Sequence, residues 1–79
     1  MPRFFFNIRN GSGFTEDEEG RTLADAEEAR REALKGARDL IADEAKQGRI
    51  DLAGSIDVTD EAGAPVLSVP FRDAVTIDG

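Results

Sequence analysis

DAEEARREALKGARDLIADEAKQG, residues 25–48, has the boundary signals and the periodicity of one long helix. Asp25 is a suitable N-cap, and Glu28 three residues later completes a capping box. At the other end, Lys46 lies in the last turn and Gly48 suits the left-handed position that follows it. The segment therefore predicts a single helix between these two caps.

One face of this predicted helix is apolar and consists mainly of small side chains. Leu34 widens the apolar stripe on one side, and Gly36 lies on its flank. Because a glycine costs a helix about 1 kcal/mol relative to alanine, we expect the backbone at Gly36 to approach a neighbouring element closely. The spacing assigns six residues to the stripe: Ala26, Ala29, Ala33, Ala37, Leu40 and Ile41.

Upstream of the helix, residues 3–9 alternate in the way a half-buried strand does. Asn10-Gly11-Ser12-Gly13 ends this strand, and Phe14-Thr15 starts a short second one. Large side chains on the strand complement the small ones on the helix, so we expect the two to pack together, with the strand central in its sheet. Its inward side is Phe4, Phe6 and Ile8, and its outward side is Phe5, Asn7 and Arg9.

Downstream of the helix, a β-hairpin is predicted. Residues 55–59 alternate with Ile56 and Val58 inward, and residues 60–63, DEAG, suit a type I turn followed by a bulge. The return strand is predicted from Val66 to Phe71, with Leu67, Val69 and Phe71 facing the core. Pro70 cannot donate a ladder hydrogen bond, so this strand lies at an edge or ends there.

The predicted fold is α+β with two layers: an antiparallel sheet of three to four strands and one long helix on one face, in the order β-(β)-α-β-β. Residues 72–75 are predicted to form one helical turn, and residues 76–79 a tail. No repeat or linker interrupts the sequence, and 79 residues are enough for one core only. Residues 1–79 are therefore interpreted as a single domain.

The composition excludes several chemistries. The chain has no Cys and no His, which rules out disulfides, zinc sites built on those ligands and nucleophiles activated by histidine. Ser12, Ser55 and Ser68 have no candidate base, and the carboxylates fall on turns and on the outer helix face rather than in a cleft. We therefore predict a protein that is not an enzyme, with no catalytic residue and no cofactor.

The acidic run Glu16-Asp17-Glu18-Glu19 before Gly20 suggests a cation site, because Ca²⁺ prefers carboxylate oxygens. An EF-hand loop, however, alternates its ligands and ends on a glutamate at its twelfth position, and this run does neither. A solvated turn is the favoured interpretation, and no metal ligand is assigned.

Charge and hydropathy limit the partners and the location. Seventeen acidic residues against ten basic ones give a net charge of −7. That charge disfavours nucleic acids and anionic membranes, and it favours a basic protein as partner. The apolar run at residues 4–6 is too short for a signal peptide or a membrane span, so a cytoplasmic location is expected.

The second face of the sheet is the candidate functional surface, because one helix covers one face only. Our leading hypothesis is a non-enzymatic protein-interaction module that forms a homodimer through this face or through the edge strand. An alternative is that residues 75–77 fold back over the face. A second function, an acidic inhibitor of a basic protein such as an RNase, follows from the charge. The possible interface residues are Phe5, Asn7, Val66, Ser68 and Pro70.

Several blocks of the chain resemble a family of uncharacterised short proteins that is abundant in rhizobia and related alphaproteobacteria. This resemblance implies a stand-alone cytoplasmic bacterial domain, and it implies no activity. One departure is Asn7, where that family often carries His. The blocks are residues 1–6, MPRFFF; 17–20, DEEG, with Leu23 and Asp25; Ala33 and 37–40, ARDL; 58–63, VTDEAG; and 69–75, VPFRDAV.

A looser likeness connects residues 3–29 with the N-terminal module of HicB-type antitoxins. The shared features are a strand, an acidic turn, Leu23 and a helix that opens with Asp25-Ala26-Glu27-Glu28-Ala29. This likeness implies an acidic domain that blocks a basic RNase, and the DNA-binding tail of such antitoxins has no counterpart here.

Overall fold

The structure, a computed structural model, describes residues 1–11 and 13–78. Ser12, one of the serines considered above, and Gly79, the last residue of the predicted tail, lie outside the described residues. The elements, in chain order, are β1 (Arg3–Asn10), β2 (Gly13–Thr15), β3 (Arg21–Thr22), α1 (Ala26–Lys46), β4 (Ser55–Thr59), β5 (Pro65–Pro70) and a 3-10 turn (Phe71–Asp73).

The strands form one antiparallel sheet in the order β2-β1-β4-β5, and β3 pairs with the first residues of β1. The predicted α+β fold is confirmed, with β1 in the interior of the sheet. Over residues 1–11 and 13–78 the sheet has five strands rather than three to four. The extra strand is β3, in which Arg21 and Thr22 pair with Phe4 and Arg3.

Both predicted helix caps are confirmed. The Asp25 carboxylate accepts a hydrogen bond from the Glu28 N–H at 2.9 Å. The Glu28 carboxylate in turn accepts from the N–H of Ala24 (3.2 Å), one residue before the position a capping box uses. Gly48 has a φ of +85° after the helix, and the N–H of Arg49 bonds to the carbonyl of Glu44, as in a Schellman motif.

Helix α1 packs mainly over β4, β5 and the 3-10 turn, whereas the sequence analysis expected it to pack on β1. From β1, Phe4 is buried in the core between helix and sheet. Ala33, Ala37 and Val58 are completely buried there. The assignment of Ala26 to the buried stripe was wrong, because Ala26 is the first helical residue and Leu23, before the cap, fills that end of the core. The complete set of buried apolar residues is Phe4, Leu23, Ala29, Ala33, Ala37, Ile41, Ile56, Val58, Val69, Phe71 and Ala74.

The close backbone approach predicted at Gly36 occurs instead at Gly54. A Cβ at Gly36 would lie 3.5 Å from Ile56 Cδ1, an ordinary van der Waals contact, so packing does not require a glycine there. A Cβ at Gly54 would overlap the carbonyl oxygen of Arg9 and lie 2.7 Å from the ring of Phe71. Gly54 is therefore the residue that lets the chain pass this close to β1.

The hairpin and the C-terminal segment follow the prediction with small shifts. Gly63 has a φ of +81° and donates to the carbonyl of Asp60, as predicted for the turn. Strand β5 is an edge strand that ends at Pro70, and Phe71 begins the 3-10 turn instead of ending the strand because its N–H donates to the Gly54 carbonyl. The Ala74 carbonyl accepts from Arg38 Nε on α1 at 2.7 Å.

This last contact places the C-terminal segment on the helix side of the sheet. Residues 76–78 are exposed, so the alternative in which residues 75–77 cover the second face of the sheet is not realised. Among the described residues, no helix has both the length and the apolar character needed to cross a membrane.

Candidate interaction surface

The sheet face that points away from α1, here called the open face, carries all five predicted interface residues. Successive side chains of a strand point to opposite faces, and the register aligns those of neighbouring strands in rows. Asn7, Asp57 and Ser68 form the central row; Arg9, Ser55 and Pro70 form a second; Phe5 and Thr59 form a third, close to Val66. Phe14 pairs with Arg9 and extends the second row.

Asp57 is the centre of a hydrogen-bonded network on the open face. Its carboxylate accepts from the hydroxyls of Ser55 (2.9 Å) and Ser68 (2.8 Å) and from Arg9 Nε (3.1 Å). Partial burial raises the pKa of Asp57, but these hydrogen bonds and the positive charge of Arg9 outweigh it and hold the pKa below its ordinary value. A carboxylate of this kind is a weak base and is already occupied by three donors.

Asn7 joins three segments of the chain beneath this surface. It is 5% exposed, and its Nδ2 donates to the Asp57 carbonyl at 3.1 Å and to Thr59 Oγ1 at 3.2 Å. Its Oδ1 accepts from the N–H of Asp17 at 3.0 Å. Of the predicted interface residues, Asn7 is therefore a structural link whose polar atoms are already used, rather than a contact that a partner can reach.

Asp17 holds the acidic turn, residues 16–20, against the edge of β1 between β2 and β3. Its carboxylate accepts from the N–H groups of Phe6, Glu19 and Gly20, all at 3.1 Å. Partial burial raises the pKa of Asp17. The three hydrogen bonds and the positive charge of Arg21 lower it by more, so the net shift of the pKa is downward. The acidic turn is thus an ordered part of the edge of the open face.

Two aromatic side chains and an acidic rim form a depression of about 570 Å³ at this edge. Phe14 is 54% exposed, and Phe5 is half-buried beside Gly20. Among the described residues that line the depression there is no Lys or Arg. Its charged lining consists of five carboxylates, those of Glu16, Asp17, Glu18, Asp60 and Glu61.

A second depression, of about 560 Å³, adjoins the first and is lined by two further residues of the predicted interface. Val66 and Ser68 line it together with Asn7, and Phe14 borders both depressions. Pro70 lies on the same face but lines neither. The five predicted residues therefore share a face without forming a single site.

The sequence interpretation missed Phe14, which is the most exposed aromatic side chain of the open face. Phe14 lies across from Arg9, and the guanidinium carbon of Arg9 is 5.3 Å from the centroid of the phenyl ring. The antiparallel pairing of β1 with β2 places these two residues opposite each other, and the available signal in the sequence was the short strand predicted at Phe14-Thr15.

Asp17, Asp57 and the two serines beside Asp57 make their hydrogen bonds within the chain. In the described part of the chain, no group of three or more acidic side chains is placed to hold a metal ion. Asp17, the least exposed member of the acidic run, already accepts three backbone hydrogen bonds. Ser55 and Ser68 both donate to Asp57, whose lowered pKa makes it a poor base for either hydroxyl.

Comparison with protein families gave a match to a domain of unknown function. The model of the family described as "Domain of unknown function (DUF6894)" matches residues 3–72. Comparison with the curated proteins and with the solved structures gave no match. The matched segment begins at the first residue of β1 and ends within the 3-10 turn, so it includes the helix and every strand of the open face.

Proposed function

We propose that this chain, which belongs to the DUF6894 family of domains of unknown function, is a non-enzymatic interaction module that binds a basic protein through its open face. The observation that carries the proposal is the depression around Phe5 and Phe14, which has a carboxylate rim and, among the residues that the structure describes, no Lys or Arg in its lining. The exposed ring of Phe14 and the half-buried ring of Phe5, beside acidic groups, suit the long aliphatic stems and charged ends of Lys and Arg.

Charge also favours a basic partner over a second copy of the chain. A face-to-face homodimer would bring two such acidic rims together, and like charges across an interface cost several kcal/mol. A basic surface would gain complementary contacts and faster association. In one form of the proposed function, the chain inhibits a basic enzyme such as an RNase.

The hydrogen-bonded network supports a surface that exists before the partner arrives. Asn7, Asp57 and Asp17 are each bonded within the chain, and no buried side-chain polar atom of the described residues lacks a partner. The open face therefore needs no second subunit to satisfy its polar groups, and binding requires little rearrangement.

Paired charge reversals test the proposal. Glu18→Lys with Glu61→Lys changes the rim of the depression, and Asp43→Lys with Asp78→Lys makes the same change in net charge at exposed positions that do not line it. The three proteins, wild type included, are immobilised and exposed at low salt to an extract of the source cells. We expect the wild type and the second variant to retain basic proteins that the first variant does not retain.

The outcome that contradicts the proposal is equal loss from both variants, since that result indicates attraction to total charge rather than to the open face. Retained proteins that are not basic contradict it as well. Circular dichroism of both variants shows whether they are folded before the capture is interpreted.

Self-association is the second candidate function, because Phe14 is 54% exposed on the open face and Phe5 and Val66 are only half-buried. Sedimentation equilibrium at micromolar concentration tests it, with Phe5→Glu and Phe14→Ser as interface variants. A dimer that both substitutions dissociate supports self-association, and a wild-type monomer contradicts it.

A further inference from the structure

On the helix side of the sheet, a groove of about 520 Å³ runs between α1 and the edge of β1. It exists because α1 packs over β4 and β5 and leaves Phe6 and Ile8 half-buried. These two residues and Ile56 line one side, and Gly36 and Leu40 of α1 line the other. We call it the helix-side groove, and it lies on the opposite side of the sheet from the open face.

Gly36 lines the helix-side groove with backbone alone. A glycine in a helix costs about 1 kcal/mol relative to alanine. The helix could carry a side chain here without a clash, because a Cβ would meet only Ile56 Cδ1 at 3.5 Å. The packing of this domain therefore does not explain the glycine, whereas an occupant that approaches the backbone of α1 does.

The rim of the helix-side groove carries excess negative charge. Among the described residues that line the groove, Arg21 is the one cation, and it already has partners within the chain. Its NH1 lies 3.5 Å from Glu32 Oε1, and its guanidinium carbon lies 5.5 Å from the centroid of the Phe6 ring. Glu16, Glu19 and Asp39 also line the groove, and none of the described ion pairs involves them. An apolar floor with an acidic rim matches an occupant that is apolar on one side and cationic at its margins.

We propose that the helix-side groove binds a basic amphipathic helix of a partner protein. The groove is an open depression rather than an enclosed cavity, which suits a segment of chain better than an enclosed small molecule. Residues 32, 36 and 40 of α1 line two helical turns, and a small residue in the middle lets a second helix approach closely. Apolar anchors pack over Gly36, and Lys or Arg side chains reach the rim.

The helix-side groove lies on a different face of the sheet from the depression of the proposed function and shares only the edge residues Glu16 and Asp17 with it, so the inference does not rest on that function. The acidic rim of the open face includes Glu18 and Glu61, which do not line the helix-side groove. The Glu18→Lys, Glu61→Lys variant is therefore expected to keep most of its affinity for an occupant of the groove, and the failure of one proposal leaves the other standing.

The test uses a synthetic helical peptide of about 14 residues, roughly four turns, with leucines on one side and lysines on the other. Amide shifts of the isotopically labelled full chain are followed during titration. We expect saturable shifts at Ile8, Gly36, Leu40 and Ile56. A second peptide with serine in place of leucine keeps the charge and is expected to bind at least about tenfold more weakly.

A matched pair of substitutions locates the binding. Gly36→Leu fills the helix-side groove, and Ala42→Leu places the same side chain at an exposed position of α1. We expect Gly36→Leu to weaken binding at least about tenfold and Ala42→Leu to leave it unchanged. Asp39→Lys, at the rim, is a further variant that leaves the helix backbone and the groove floor intact, and it is expected to weaken binding as well.

Three results would overturn the inference. They are equal affinity of wild type and Gly36→Leu, shifts confined to open-face residues such as Thr59 and Ser68, and equal binding of the leucine and serine peptides. If Gly36→Leu does not fold, as judged by its amide spectrum, an unchanged affinity of Asp39→Lys overturns the inference in its place.

Discussion

The two faces of the sheet are stabilised by different interactions. Towards α1, Val58 and Val69 are at most 1% exposed and pack beneath Ala33 and Ala37, so burial of apolar surface holds this side. On the open face, Asn7 and Asp57 satisfy their polar atoms through side-chain hydrogen bonds within the chain. The comparison teaches that burial of apolar surface holds the part of the first face that α1 covers, while hydrogen bonds between its own side chains hold the second face.

The strongest test of this difference replaces one aromatic residue on each side. Phe71→Ala removes a side chain that is 2% exposed on the covered side, and we expect it to lower the free energy of unfolding by about 3–5 kcal/mol. Phe14→Ala, on the open face, is expected to change it by less than about 1 kcal/mol. Urea denaturation followed by circular dichroism measures both. Similar losses from the two variants would show that the open face is part of the core.

A smaller effect is expected from the one buried polar residue of the described chain. Asn7→Ala removes three hydrogen bonds and leaves the N–H of Asp17 and the Asp57 carbonyl without this partner. We expect a loss of about 1–3 kcal/mol in the same denaturation experiment. If Asn7→Ala is neutral, hydrogen bonding does not hold the open face together.

The open face and its acidic edge also predict how stability depends on pH. The pKa values of Asp57 and Asp17 are lowered in the folded state from an ordinary value of 3.8. Their contribution to the free energy of unfolding is therefore present above that value and is lost as pH falls through the lower, folded-state pKa. We expect stability to be constant from pH 7 to about pH 5 and to decrease below about pH 4. Asp57→Asn should flatten this decrease, and an unchanged slope argues against the network.

The smallest predicted effect is a gain in stability. Gly36→Ala adds a methyl group that makes an ordinary contact with Ile56, and it removes the glycine penalty of the helix. We expect the free energy of unfolding to rise by about 0.5–1 kcal/mol. A loss of stability would show that packing does require the glycine, and it would remove one argument for an occupant of the helix-side groove.

The fold was largely predictable because its signals are local. The caps at Asp25 and Gly48 and the alternation of residues 3–9 each depend on a few neighbouring residues. Strand β3 was not predictable, because its two residues pair only through tertiary placement beside β1. The close contact at Gly54 was missed for the same reason, since its partners Arg9 and Phe71 are distant in sequence.

The sequence predicted which face of the sheet carries the candidate surface, but it did not predict the chemical character of that surface. Alternation placed Phe5, Val66 and Ser68 on the second side of the sheet and suggested an apolar patch. Its polar character arises from the cross-strand network of Asp57, and its exposed aromatic group is Phe14. Both depend on which residues of neighbouring strands are paired, and the alternation within a single strand does not give that pairing.

The most direct test of a basic partner at the open face compares affinities for the basic protein that the capture experiment identifies. Calorimetric titration gives its dissociation constant for the wild type, for Glu18→Lys with Glu61→Lys, and for Asp43→Lys with Asp78→Lys. The account predicts that the first pair weakens binding at least about tenfold more than the second. Equal weakening by the two pairs would contradict it, because the open face would then contribute no more than any other acidic surface of the chain.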